Sequence, residues 1–425
     1  MTAPRPLGSH IGIQPREATP LSATITPFSL FDGDWVNRWF AWLGLRSRHA
    51  AAIAGRCLFV AGVTWVPMAI LAIIQHLYST TIDARNFFAD YAAYAQFLIA
   101  LPLFVVGERI VSRSTREAAE TFVDSGVLEP ADLPLADAAH REVARLARSR
   151  GVEWGCIVLA YALAAATILP ERSTPSMHTW HMGAGDDPDA TIRTIFGLTL
   201  PGAWALLVAL PLLNYWWLRI GWKVIVWTRY LYRISRPRLV LVASHPDQTG
   251  GVGFVSDVQA TFALIIFAYG LSNVAAVIAY KVAIEKAPLT LPPVWGPALG
   301  FIIGAPALFT APLLMFTKQL FRTKHRALAV YREQILRRSL AFESSWLAAD
   351  TSDAASATVL GNMSHLSTLF GRIERMRIVP FDLKSALQLI GSTVGSVAAA
   401  LPLLKIQAPI KDWLEFISTL LRHGG

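Results

Sequence analysis

Apolar residues occur along this chain in blocks of roughly 20, the length that carries a helix across a ~30 Å hydrocarbon layer. The blocks run from about Ala51 to His76, Tyr91 to Ile110, Val152 to Pro170, Phe196 to Leu231, Asp257 to Tyr280 and Val294 to Phe316. A seventh, Leu387 to Leu404, either spans or re-enters. The blocks are apolar all round rather than alternating. A membrane β-barrel would show short alternating segments, and an open sheet would leave backbone groups unsatisfied in lipid. The pattern therefore predicts an all-α, polytopic transmembrane helix bundle with six or seven spans and cytoplasmic helical extensions.

Outside the blocks the periodicity changes to one-sided. Phe31, Trp35, Trp39 and Trp42 follow each other at helical spacing, with Asp34 and Asn37 turned away, which predicts an amphipathic helix in the headgroup layer or on the bundle itself. Ile410, Trp413, Leu414, Ile417, Leu420 and Leu421 predict a second one near the end. After the sixth block Phe321, Leu328, Ile335 and Phe342 recur every seven residues amid arginines, so the helix is expected to continue out of the membrane and pack on a cytoplasmic neighbour. The Ala/Ser/Asp-rich stretch Ala348 to Thr358 reads as a linker. The expected divisions are a flexible cytoplasmic tail 1–30, an interfacial helix 31–45, a six-span domain 51–317, a cytoplasmic helical region 318–384, and the seventh segment with its terminal helix at 385–425.

Composition agrees with this picture. The chain of 425 residues is 54% hydrophobic and 16% charged, where soluble domains average about 25% charged. Mean hydropathy is +0.43. The lysines and arginines are placed unevenly: five before Ala51, six after the second block, six from Arg219 to Arg238 and eleven from Lys318 to Lys384, against one or two in each intervening loop. By the positive-inside rule the amino terminus is cytoplasmic. The net charge of +9 then fits attraction to anionic lipids of the bilayer, and no nucleic acid is expected. Cys57 and Cys156 lie in different blocks and form no disulfide framework or metal set.

Candidate chemistry is sparse. Ser244-His245-Pro246-Asp247-Gln248-Thr249-Gly250-Gly251-Val252-Gly253-Phe254 precedes the fifth block. It resembles a motif of a family of uncharacterised bacterial polytopic inner-membrane proteins, in which His-Pro-Asp is followed after two residues by Gly-Gly-Leu-Gly-Phe. The resemblance implies a multi-pass protein of the bacterial inner (cytoplasmic) membrane and implies no activity. Two readings of the string stay open. One is a structural turn, with Ser256 and Gln259 as a capping box. In the other the amides of Gly250, Gly251 and Gly253, with His245 and Asp247, hold an anion or a lipid phosphate.

Within the fifth block Tyr269, Ser272 and Asn273 share a helix face and are candidates to line a pathway or to bond between helices. In the loop after the third block, His178 and His181 beside Met177 and Met182 are a candidate metal pair. Glu108, Arg109 and Arg56 read as interface charges that reach to water, and Trp216 to Arg229 as an interface belt. Gly296, Gly300 and Gly304 have the spacing of close helix approach, within the chain or between subunits of a homo-oligomer. No cofactor fingerprint or catalytic set occurs, so no cofactor is expected. Three functions follow in order: a channel or transporter, a scaffold or signalling component binding a cytoplasmic protein partner, and an enzyme on lipid headgroups using His245 and Asp247.

Overall fold

Each apolar block forms helix, because only a helix closes its own backbone hydrogen bonds within one segment. The computed structural model describes residues 25–31, 33–45, 49–78, 85–88, 90–168, 180–181, 198–274, 292–348 and 353–405. Six of its helical segments are long and apolar enough to cross a membrane: Ala50–Gln75, Tyr94–Asp124, Arg150–Ile168, Leu200–Ile234, Phe254–Val274 and Gly296–Ala341. The chain is a polytopic helical membrane protein. Its longer helices are α1 (Trp35–Trp42), α2 (Ala50–Tyr78), α3 (Leu101–Asp124), α4 (Leu133–Ala147), α5 (Arg150–Ile168), α6 (Leu210–Ile234), α7 (Phe254–Thr261), α8 (Ala263–Tyr269), α9 (Pro292–Thr310), α10 (Thr317–Ala348), α11 (Asp353–Glu374) and α12 (Leu383–Lys405). Single π-helical stretches, Tyr94–Ala100, Ala205–Ala209 and Gly270–Val274, precede α3, precede α6 and follow α8.

The bundle has an inner and an outer layer. The apolar windows of Leu200–Ile234 and Phe254–Val274 are 56% buried, against 17% for Arg150–Ile168 and Gly296–Ala341, so α6, α7 and α8 form the centre and α5 and α9 face lipid. Large aromatic side chains of α6 account for much of that centre: Trp216, Trp227 and Tyr230 are each 2% exposed or less. Leu58, Val158 and Ile303 do the reverse and point outward.

Prolines inside these helices leave carbonyls without their usual donor, which lipid cannot replace. Neighbouring helices supply it. Pro67 has no N–H for the carbonyl of Val63, and the Trp204 indole donates to that oxygen at 3.1 Å. Pro211 stands in the same relation to Leu207, whose carbonyl accepts from the Tyr161 hydroxyl at 3.1 Å. A kink therefore specifies its neighbour.

Several expectations need correction. Residues 25–30 do not belong to a flexible tail: Thr26 donates through N and Oγ1 to Asp137 at 2.9 and 2.7 Å, and Phe28 is buried against His140, Trp227 and Tyr230. Helix α1 packs on the bundle, and its buried face is Asp34, Val36 and Phe40, while Trp42 is 80% exposed. The stripe drawn through the tryptophans is rotated, because buried charge on α1 finds partners in the bundle. The expected linker is shorter than Ala348 to Thr358, since α11 begins at Asp353. A Cβ on Gly296, Gly300 or Gly304 would meet no described residue within 4 Å, so among the described residues these glycines pack α9 on no other helix. Gly270 does that work instead, for a Cβ there would lie 2.0 Å from Ser396 Oγ of α12. The seventh segment is thus the helix α12, packed against α8 and α9. The proposed amphipathic helix over Ile410 to Leu421 lies outside the described residues.

Candidate functional site

Among the described residues the most heavily charged buried network grows from one capping residue, Asp34. Asp34 precedes α1 with extended backbone and accepts from Asn37 N at 3.3 Å, which satisfies one of the helix's open amides. Its other oxygen points into the bundle. Arg219 of α6 donates to Asp34 Oδ2 through Nε at 2.9 Å and Nη2 at 2.6 Å. The same guanidinium donates to Glu108 of α3, through Nη1 to Oε2 at 2.5 Å and through Nη2 to Oε1 at 2.8 Å. One turn along α6, Lys223 lies 3.4 Å from Asp34 Oδ2 and donates to the Ala147 carbonyl at 2.8 Å. All four charged residues are buried, the most exposed being Glu108 at 8%.

Two anions and two cations cancel, and each is hydrogen-bonded, which is the condition under which buried charge is tolerated. Burial pushes the Asp34 carboxyl up, but Arg219 and Lys223 outweigh it and hold it below the ordinary value of 3.8. Asn37 extends the network, with Nδ2 donating to the Phe31 carbonyl at 2.8 Å and to Asp34 Oδ1 at 3.1 Å, and Oδ1 accepting from Arg56 Nη1 at 3.3 Å. Glu108, Arg219 and Lys223 are therefore not interface charges reaching to water. They fasten the amino-terminal helix to two membrane helices. The pairing was not visible in sequence, although Arg219 and Lys223 four apart on a helix, and an Asp-x-x-Asn start to α1, were signals that pointed to it.

The His-Pro-Asp string is a tight loop between α6 and α7. Asp247 Oδ1 accepts from Thr249 N at 2.8 Å, and Oδ2 accepts from Gly251 N at 2.9 Å and Gly253 N at 3.0 Å. Burial raises the Asp247 carboxyl, yet these amides and His245, 2.8 Å away through Nδ1, bring it below its ordinary value. Gly250 and Gly251 have φ of 71° and 97°, which L side chains avoid, and a Cβ on Gly250 would also crowd Met376 and Leu241. The anion held by this loop is its own aspartate. Of the glycine amides that an outside phosphate would need, those of Gly251 and Gly253 are occupied.

The loop also ties distant elements together. Arg377 N donates to the Gln248 carbonyl at 2.6 Å, and Lys324 Nζ to that of Met376 at 2.7 Å. The expected Ser256–Gln259 capping box does not form. Ser256 Oγ instead accepts from Asp382 N at 3.1 Å and meets Ser385 Oγ at 3.1 Å, so it holds the start of α12.

No protein family, curated protein or solved structure matches the chain.

The remaining candidates are placed as follows. Asn273 Nδ2 donates to the Tyr269 carbonyl at 3.1 Å and to Ser272 Oγ at 2.9 Å, so the donors of this amide are engaged within one turn. Gln96, from the π-helical stretch before α3, donates to the Ser272 carbonyl at 2.9 Å. Tyr269 is 41% exposed and stacks on Phe301 and Trp217. His181 lies against the Trp180 ring, 3.7 Å between centroids, and its carbonyl accepts from Thr199 N at 3.1 Å. His178 lies outside the described residues, among which no group of three or more His, Cys, Asp or Glu could hold a metal.

Proposed function

We propose that the chain is a multi-pass protein of a bacterial-type cytoplasmic membrane, amino terminus inside, that acts as a scaffold or signalling component. Its cytoplasmic hairpin of α10 and α11 takes a protein partner. The observation that carries this reading is the sixth segment, Gly296–Ala341, whose 46 residues rise about 69 Å, roughly twice a hydrocarbon layer. The half beyond the membrane is α10, on which Val330, Leu336 and Leu340 are 56%, 60% and 57% exposed beside Arg326, Arg332, Arg337 and Arg338. Apolar side chains on a basic, water-exposed helix match a partner with an acidic rim and an apolar centre. Gentle extraction of the full chain is expected to bring down a stoichiometric partner, and Leu336→Asp with Leu340→Asp to release it. A chain that extracts alone, or a partner indifferent to both substitutions, would rule this reading out.

Conduction through the bundle is a second reading, favoured by the π-helical stretches Tyr94–Ala100 and Gly270–Val274, which touch each other inside the spans. Flux of ions or small solutes into liposomes, compared between wild type and Asn273→Leu at equal incorporation, tests it. Vesicles that stay tight under both leave the scaffold reading standing.

A further inference from the structure

Between α1, α2 and α3 lies a cleft of about 550 Å³ whose polar lining is Arg38, Arg56, Arg109, Asn37, Glu108 and Ser112. Three guanidinium groups face one carboxylate, and that carboxylate is already engaged at both oxygens by Arg219. Arg56 is fixed in place: Nε donates to the Leu45 carbonyl at 2.9 Å, Nη1 to Asn37, and the group lies 5.0 Å from the Phe40 ring centroid. No described residue offers a hydrogen bond or ion pair to the side chains of Arg38 or Arg109. Among the described residues the cleft thus holds three arginine charges with no free counter-charge, between walls that include Phe40 and Trp216. Low-dielectric walls strengthen mutual repulsion among the cations and attraction for an incoming anion alike.

We propose that this cleft binds a phosphate-bearing anion, with Arg38, Arg56 and Arg109 as its ligands and the Ser112 hydroxyl as a further donor. Arginine forks match tetrahedral oxyanions, and three of them around one site neutralise a phosphate that a single lysine would only attract. Either the headgroup of an anionic lipid or free phosphate carries that chemistry. The apolar walls, and the exposed Trp39 and Trp42 of α1 beside the first span, place the cleft at headgroup depth. The site shares no residue with the α10 surface, so either can fail without the other.

The experiment is thermal unfolding of the purified full chain in a neutral detergent, with phosphatidylglycerol, phosphatidylcholine or inorganic phosphate added in turn. Phosphatidylglycerol is expected to raise the midpoint by several degrees and phosphatidylcholine to leave it unchanged. Arg38→Gln with Arg109→Gln is expected to remove more than half of the rise, while Arg322→Gln with Arg332→Gln, on the exposed face of α10, keeps it. An equal rise with millimolar inorganic phosphate identifies the free anion as the ligand. No rise with either anion, or a rise that the cleft variants retain in full, overturns the proposal. Should the double variant fold poorly, Arg38→Gln alone, at an exposed position, is read in the same way.

Discussion

At the scale of single residues, Arg219 and Asp247 each hold several groups in place, and their substitutions separate two kinds of cost. Arg219→Gln leaves the carboxylates of Asp34 and Glu108 buried without their main cation, and removing one side of a buried pair costs roughly 3–5 kcal/mol. A large fall in folded yield and in unfolding midpoint is expected, and an undiminished midpoint would show that the network is idle. Asp247→Asn is milder, because an amide oxygen can still accept from some of the three N–H groups. Its cost should depend on pH. The folded Asp247 carboxyl lies below 3.8, so its contribution is fully present above about pH 4 and is lost as pH falls through the lower, folded value. Measured midpoints of wild type and Asp247→Asn should therefore differ at pH 7 and converge as the pH is taken below about 4. The turn itself was legible, since proline and glycine announce a turn and its glycines. What the carboxylate does there was not, because a peptide string does not say which of two anions, its own or a ligand's, its amides will meet.

At the scale of elements, length and uniform apolarity made the spans readable to within a few residues at most ends. Which face of each helix meets which neighbour was less so, as two glycine sets show. A side chain at Gly270 would run into Ser396, whereas one at Gly300 would meet no described residue within 4 Å, although the sequence pattern favoured Gly300. Spacing reveals that a helix has a smooth face but not whether another helix lies on it. Gly270→Ala is accordingly expected to force α8 and α12 apart and lower the unfolding midpoint clearly, while Gly300→Ala in the same protein leaves it within a degree or so. Equal effects would contradict this packing of α12. Helix α1 carries the same lesson. Its tryptophans suggested one face, but the short polar residues Asp34 and Asn37 decide its orientation, since burying a matched charge is tolerated and burying an unmatched one is not.

At the scale of the whole molecule, polar structure is concentrated toward one end of the bundle. The His-Pro-Asp loop follows the fourth span and α10 continues the sixth, where the chain is also richest in lysine and arginine, while Glu108, Arg219 and Lys223 of the four-charge cluster sit within the second and fourth spanning segments. The expectation is that reporters fused after Gly126 or within α11 score as cytoplasmic and one fused after Ile168 as external. The opposite result at any of the three would overturn the orientation. The cluster adds a constraint on assembly. Asp34 and Arg219 are 185 residues apart, so at about 5–20 residues per second α1 exists for roughly 10 to 40 s before its partner has been made. Through that interval the nascent chain carries Asp34, joined for the last 111 residues of synthesis by Glu108, with no Arg219 to receive them. The arrival of the fourth span is then the event that completes the lock on the first part of the protein, and a chain cut short before it keeps the Thr26–Asp137 contact but leaves Asp34 without its cations.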